Sequence, residues 1–141
     1  MYKDGPIIII EDDVEDQELI GEIFRKLNHK NEIVFFKDGN LALEYLNQAD
    51  LRPFLILSDV NMPRINGLEL RSLVHTNEKL HIKCIPYLFF TTAATKKSVS
   101  DAYVMAVQGF FEKPHTYTEL EHTLKLIVDY WKACIAPNQY D

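Results

Sequence analysis

Near its start the chain reads Ile7-Ile8-Ile9-Ile10-Glu11-Asp12-Asp13, which is four β-branched residues followed at once by three acids. A run of four is too short for a buried helix. It is also apolar on both faces, as a strand in the middle of a parallel sheet must be. The sequence therefore predicts a central, buried strand whose carboxyl end carries a concentration of negative charge.

The rest of the chain alternates between helical and strand patterns. Apolar residues recur at helical spacing after Asp13 as far as Leu27, and either Asp13 or Asp16 can cap the start of that helix. The same order then repeats four times. The further predicted strands are 33–36, 54–57, 87–90 and 109–111, and the further predicted helices are 40–46, 67–74, 98–106 and 119–135.

Strands that alternate with helices call for right-handed crossovers onto one parallel sheet with helices on both faces. We therefore expect an α/β fold of the doubly wound, flavodoxin-like kind, with five parallel strands and five helices in three α/β/α layers. A length of 141 residues suits one domain. That domain is expected to span 1–141, with a core of about 6–135 and a short tail at 136–141.

Composition narrows the class of protein. The chain is 47% hydrophobic and 26% charged, as soluble globular proteins are, and its net charge of -6 argues against nucleic acid as a direct partner. No apolar run approaches the roughly 20 residues of a membrane span, and the first six residues do not resemble a signal peptide. We expect a cytoplasmic protein with no membrane partner. Cys84 and Cys134 have no metal-binding or disulfide spacing and are expected to serve in packing.

Polar residues follow four of the five predicted strands, as Glu11-Asp12-Asp13, Ser58-Asp59, Thr91-Thr92 and Lys113-Pro114. In doubly wound folds ligands bind outside the carboxyl ends of the strands, near the point where the strand order reverses. These residues are therefore expected to converge. Carboxylates without cysteine or histidine select a hard cation, and magnesium suits the set best.

Together these residues resemble the receiver domain of two-component response regulators. The matching residues are Glu11-Asp12, Ser58-Asp59-Val60-Asn61-Met62-Pro63, Gly67-Leu68-Glu69-Leu70, Thr91 and Lys113-Pro114. The resemblance covers essentially the whole chain. It is strongest to single-domain receivers, including those paired with bacterial phytochrome-like kinases.

The resemblance implies a metal-assisted phosphoacceptor. Asp59 would accept the phosphoryl group in a reaction that depends on Mg²⁺. Glu11, Asp12 and Asp59 would hold the ion with their carboxylates, and Asn61 would offer its backbone carbonyl.

Other residues would bind the phosphoryl group and transmit its arrival. Lys113 would pair with Asp59 and then with the phosphoryl oxygens, and its bond to Pro114 is expected to be cis, as is usual in the family. Thr91 would hydrogen-bond to a phosphoryl oxygen, although Thr92 is adjacent and is the alternative. The switch aromatic of the family falls on Phe110, which has no hydroxyl and could act only through packing.

The resemblance also implies partners. A sensor histidine kinase or a histidine phosphotransfer protein would donate the phosphoryl group, and the chain would act as a signalling phosphoacceptor rather than an enzyme. Output would occur through protein contacts or onward phosphotransfer. A homodimer is expected through the fourth helix, fifth strand and fifth helix, roughly 98–135, where Tyr130 lies off the core-facing stripe.

Three other functions are less consistent with the residues. A flavodoxin-like electron carrier would need a Ser-, Thr- and Gly-rich phosphate loop after the first strand, where Glu11-Asp12-Asp13 would repel the flavin phosphate. An aspartyl-phosphate phosphohydrolase generally has Asp-x-Asp, and the third position here is Asn61. A pseudo-receiver that binds partners without phosphorylation is disfavoured because all of the expected site residues are present.

Overall fold

The computed structural model describes residues 1–92 and 94–140, so residue 141 of the predicted tail lies outside the described residues. All five strands run parallel in one sheet, in the order β2-β1-β3-β4-β5. The strands are β1 (Ile7–Ile10), β2 (Ile33–Phe36), β3 (Leu55–Ser58), β4 (Tyr87–Thr91) and β5 (Gly109–Glu112). The prediction of a doubly wound, five-stranded parallel sheet is confirmed.

Six α-helices are present in the described residues, so the prediction of five helices is wrong by one. They are α1 (Val14–Leu27), α2 (Gly39–Leu46), α3 (Gly67–Thr76), α4 (Glu78–His81), α5 (Lys96–Val104) and α6 (Tyr117–Ala133). The additional helix is α4. It forms because the Asn77 side chain, directly after α3, accepts hydrogen bonds from the backbone N–H groups of Lys79 and Leu80, and because Leu80 is buried.

The helices lie in two layers, one on each face of the sheet. Ile7 and Ile9 of β1 belong to a first core, which contains residues of α1 and α6. Ile8 and Ile10 belong to a second core, which contains residues of α2, α3, α4 and α5. Side chains alternate between the faces of a strand, so an all-isoleucine strand supplies both cores. The predicted three-layer arrangement follows.

Sheet topology brings the ends of β1 and β3 side by side. The chain crosses first from β1 to β2 on one side and then to β3 on the other, so the strand order reverses at this point. Ile10 is paired with Ser58 in the register, and the Asp59 N–H donates to the Ile10 carbonyl at 2.9 Å. Asp59 therefore lies beside the end of β1, next to Glu11.

The loop after β3 folds back closely onto Asp59. The Gly67 N–H donates to the Val60 carbonyl at 2.8 Å. A Cβ atom at Gly67 would lie 2.0 Å from the Asp59 carbonyl oxygen and 2.8 Å from the Phe89 ring. Only glycine allows the start of α3 to pack against this backbone.

Among the described residues, no helix combines the length and the apolar character needed to cross a bilayer.

Candidate functional site

Three carboxylates meet at the carboxyl edge of the sheet. Glu11, Asp12 and Asp59 each offer an oxygen, and these oxygens all lie within 4.8 Å of one another. Two such charges 4 Å apart repel by about 4 kcal/mol at an effective dielectric of 20, which a bound cation would offset. The donor set is oxygen only, so the cluster could hold a hard divalent ion such as Mg²⁺.

The Asp59 carboxylate is fixed through one of its two oxygens. Oδ1 accepts hydrogen bonds from the Thr91 hydroxyl at 2.6 Å, the Val60 N–H at 2.7 Å and the Asn61 N–H at 3.4 Å. Oδ2 accepts no hydrogen bond from the described residues and faces Lys113 Nζ at 3.6 Å. Burial raises the pKa of Asp59, and the hydrogen bonds from Thr91 and Val60 oppose that shift.

Lys113 reaches the same acids from the end of β5. Its side chain is 7% exposed and forms ion pairs with Glu11 and, at 2.9 Å, with Asp16 Oδ2. Its backbone N–H donates to the Thr91 carbonyl at 2.8 Å, which fixes the end of β5 beside β4. Burial lowers the pKa of Lys113 to about 8, whereas the surrounding carboxylates favour the charged ammonium.

The two threonines at the end of β4 differ in their surroundings. Thr91 is fully buried and bonded to Asp59, whereas Thr92 is exposed. The geometry therefore favours Thr91 as the residue that senses a group on Asp59, a role that stays a prediction. Phe110 is half-buried, and its ring centroid lies 5.6 Å from that of Phe89.

The peptide bond between Lys113 and Pro114 is trans, so the expectation of a cis bond is wrong. Trans is the isomer that a bond before proline prefers intrinsically, by about 0.5–1 kcal/mol.

Asp16 also belongs to the site, although the sequence predicts for it only a possible role as the cap of α1. The cap is Asp13, whose Oδ1 accepts from the N–H groups of Glu15 at 2.9 Å and Asp16 at 3.2 Å. The Asp16 side chain instead contacts Lys113. Burial raises the pKa of Asp16, and the nearby charges of Asp13 and Asp59 raise it further. Its spacing of four residues before Ile20 and seven before Ile23, both buried, is a signal in the sequence that places it on the inner side of α1.

The family model for the response regulator receiver domain matches residues 7–125. The chain therefore belongs to this family of two-component signalling domains.

Similar proteins span nearly the whole chain. The probable methanogenesis regulatory protein FilR2 of Methanothrix harundinacea is 29% identical over 129 residues, covering 89% of this chain and 82% of FilR2. Response regulator Rcp1 of Synechocystis sp. is 28% identical over 130 residues, covering 89% of this chain and 87% of Rcp1.

Solved structures give the same result. The phosphorylated cyanobacterial phytochrome response regulator RcpA superposes with a TM-score of 0.84 at 27% identity, over 94% of this chain and 96% of RcpA. The Mn²⁺-bound form of Rcp1 superposes with a TM-score of 0.82 at 26% identity, over 94% of this chain and 97% of Rcp1.

Proposed function

We propose that this protein is a phosphoacceptor that takes a phosphoryl group onto Asp59 in a magnesium-dependent reaction. The observation that carries the proposal is the environment of this one carboxylate. Two further acids, Glu11 and Asp12, lie beside it, and the Lys113 ammonium faces its oxygen Oδ2. A nucleophilic oxygen, an acid cluster that could hold a cation and a nearby positive charge are the parts that phosphoryl transfer requires.

The chain's own residues orient the attack. Hydrogen bonds from Thr91 and Val60 hold Oδ1, so the carboxylate cannot rotate freely and Oδ2 stays directed toward Lys113. An Asp59 oxygen forms a bond to phosphorus as the bond from phosphorus to the donor's histidine nitrogen breaks, and that nitrogen keeps the electron pair. Lys113 would then balance the charge of the phosphoryl oxygens.

Glu11, Asp12 and Asp59 would hold the magnesium ion with their carboxylates, and Asn61 with its backbone carbonyl. The ion would supply positive charge to the phosphoryl oxygens. The Mn²⁺-bound form of Rcp1, a structure with the same fold, supports the proposal that this protein binds a divalent metal ion.

The proposed donor is a sensor histidine kinase or a histidine phosphotransfer protein. The likeness to RcpA, a phytochrome response regulator, supports a phytochrome-like kinase as the donor. Such an exchange would take place in the cytoplasm. Output would pass through protein contacts or onward phosphotransfer, and the proposed contact surface consists of α5, β5 and α6, hereafter the output face. Neither nucleic acid nor a membrane is proposed as a partner.

Incubation with acetyl phosphate and Mg²⁺ tests the proposal. We expect the intact mass to rise by one phosphoryl group, and the product to be cleaved by hydroxylamine, as an acyl phosphate is. Asp59→Asn should abolish the addition because an amide is a poor nucleophile, and removal of Mg²⁺ with EDTA should suppress it. Asp50→Asn, the same change at an exposed position, is the matched control and should react like the wild type. Labelling that persists in Asp59→Asn would refute the assignment of the acceptor.

A further inference from the structure

Lys113 has a partner that is not part of the acid cluster. Within the described residues, three carboxylates lie within 4.0 Å of its ammonium, and those of Glu11 and Asp59 belong to the group that could hold a metal ion. Asp16 does not belong to that group. The Asp16 contact, at 2.9 Å, is also shorter than the 3.6 Å separation between Lys113 Nζ and Asp59 Oδ2. In this state the ammonium is hydrogen-bonded to Glu11 and Asp16 and lies beyond hydrogen-bonding distance of Asp59.

We propose that Asp16 is a positioning residue that holds the Lys113 ammonium away from Asp59, and that the ammonium moves from Asp16 toward the phosphoryl oxygens when Asp59 is phosphorylated. The inference rests on the proposed function, and it adds the first turn of α1 to the elements that control the phosphorylated state. Asp16 makes no hydrogen bond to the Asp59 carboxylate in this arrangement, so it acts on the site through Lys113.

The backbone of Asp16 is well suited to this role because it is fixed. Its N–H donates to Asp13 Oδ1 at 3.2 Å, which anchors the first turn of α1. The next turns bury Ile20 and Ile23 in the first core. The carboxylate is therefore held at a set position next to the end of β5, and its side chain is 35% exposed, so it can turn to water when Lys113 leaves.

The charge of Asp16 is expected to destabilise the phosphorylated form of the protein. A phosphoryl group adds a charge of about -1.5 to -2 near neutral pH, and it competes with Asp16 for the Lys113 ammonium. Asp16 also repels the new charge. Both effects destabilise the phosphorylated form, so removal of the Asp16 charge should stabilise it.

The test compares Asp16→Asn with Asp13→Asn at saturating Mg²⁺, with beryllofluoride as the mimic of the phosphoryl group. Both variants lose one negative charge at the start of α1, and asparagine caps a helix about as well as aspartate. Only the first variant loses the ion pair with Lys113. We expect beryllofluoride to bind Asp16→Asn roughly three- to tenfold more tightly than the wild type, and Asp13→Asn to change the affinity by less than about twofold. Equal effects of the two variants would overturn the inference, because the charge alone would then explain them.

A second measurement does not depend on phosphorylation. In metal-free crystals of Asp16→Asn, Lys113 Nζ should move from 3.6 Å to hydrogen-bonding distance of Asp59 Oδ2. An unmoved ammonium would contradict the inference even if the affinity changed. Wild-type protein that binds no beryllofluoride and accepts no phosphoryl group would refute the proposed function instead.

Discussion

Thr91 links the end of β4 to the Asp59 carboxylate through a 2.6 Å hydrogen bond from its hydroxyl. A phosphoryl oxygen on Asp59 would offer this hydroxyl a more strongly charged acceptor. Hydrogen bonds to charged groups are worth about 1.5 to 3 kcal/mol, which is enough to shift the balance between two conformations of the output face.

We therefore expect Thr91→Ala to accept a phosphoryl group from acetyl phosphate but to show a weak conformational response at the output face. The measurement is the change in backbone amide NMR shifts of α5, β5 and α6 when beryllofluoride and Mg²⁺ are added. The shifts should be at least about threefold smaller in Thr91→Ala than in the wild type, since the lost hydrogen bond biases the equilibrium.

Thr92→Ala is the matched control, because Thr92 is the exposed neighbour of a buried threonine. It should respond like the wild type. Equal shifts in wild type and Thr91→Ala would show that Thr91 does not couple the site to the output face.

At the residue scale the sequence locates the individual groups of the site but does not predict every ion pair among them. Glu11, Asp12, Asp59 and Lys113 could be predicted to converge, because each follows a strand whose carboxyl end lies on one edge of the sheet. The ion pair between Asp16 and Lys113 could not. The apolar stripe of α1 places Asp16, four residues before Ile20, on the side of the helix that faces the sheet. It does not show which strand end lies opposite Asp16, and that depends on the sheet topology.

At the scale of the elements, α3 constrains the position of Asp59. The first residue of this helix, Gly67, packs directly on the Asp59 carbonyl. Since a Cβ atom there would lie 2.0 Å from that oxygen, Gly67→Ala should lower the free energy of unfolding by about 1 to 3 kcal/mol. It should also slow labelling by acetyl phosphate, because the Asp59 backbone must shift.

Urea denaturation and the rate of labelling measure the two effects. Gly39→Ala is the control, since Gly39 likewise opens a helix but its Cβ would meet its nearest neighbour at an ordinary 3.4 Å. It should change the free energy of unfolding by less than about 0.5 kcal/mol. Similar losses in both variants would contradict the close contact at Gly67.

Strands were more predictable than helices for a physical reason. A buried parallel strand is apolar on both faces, so runs such as residues 7–10 stand out in the sequence. The α4 helix has four residues and depends on one cap at Asn77 and one buried side chain, that of Leu80. A single turn shows no periodicity, so its presence follows from tertiary packing.

For the molecule as a whole, the output face carries exposed apolar side chains. Leu126 is 54% exposed and Tyr130 is 61% exposed, both on α6. We expect the protein to dimerise through this face and beryllofluoride with Mg²⁺ to alter the association constant. Replacing both residues by serine should weaken association about tenfold or more, because less apolar surface would be buried.

Sedimentation equilibrium measures this association. Ile82→Ser is the control, because Ile82 is 77% exposed and lies at the end of α4, which is not one of the elements of the output face. It should leave the association constant unchanged. A wild-type protein that stays monomeric at high concentration, with and without beryllofluoride, would exclude the dimer.

The two phenylalanines of β5 lie on opposite faces of the sheet. Phe110 packs against the second core, whereas Phe111 packs against the first. A small shift of this strand would therefore change the packing of the helical layers on both faces of the sheet. A helix on either layer could then be displaced as a rigid body without a continuous path of contacts across the sheet. Because β5 leads directly to Lys113, a movement of Lys113 in the acid cluster would be passed to this strand.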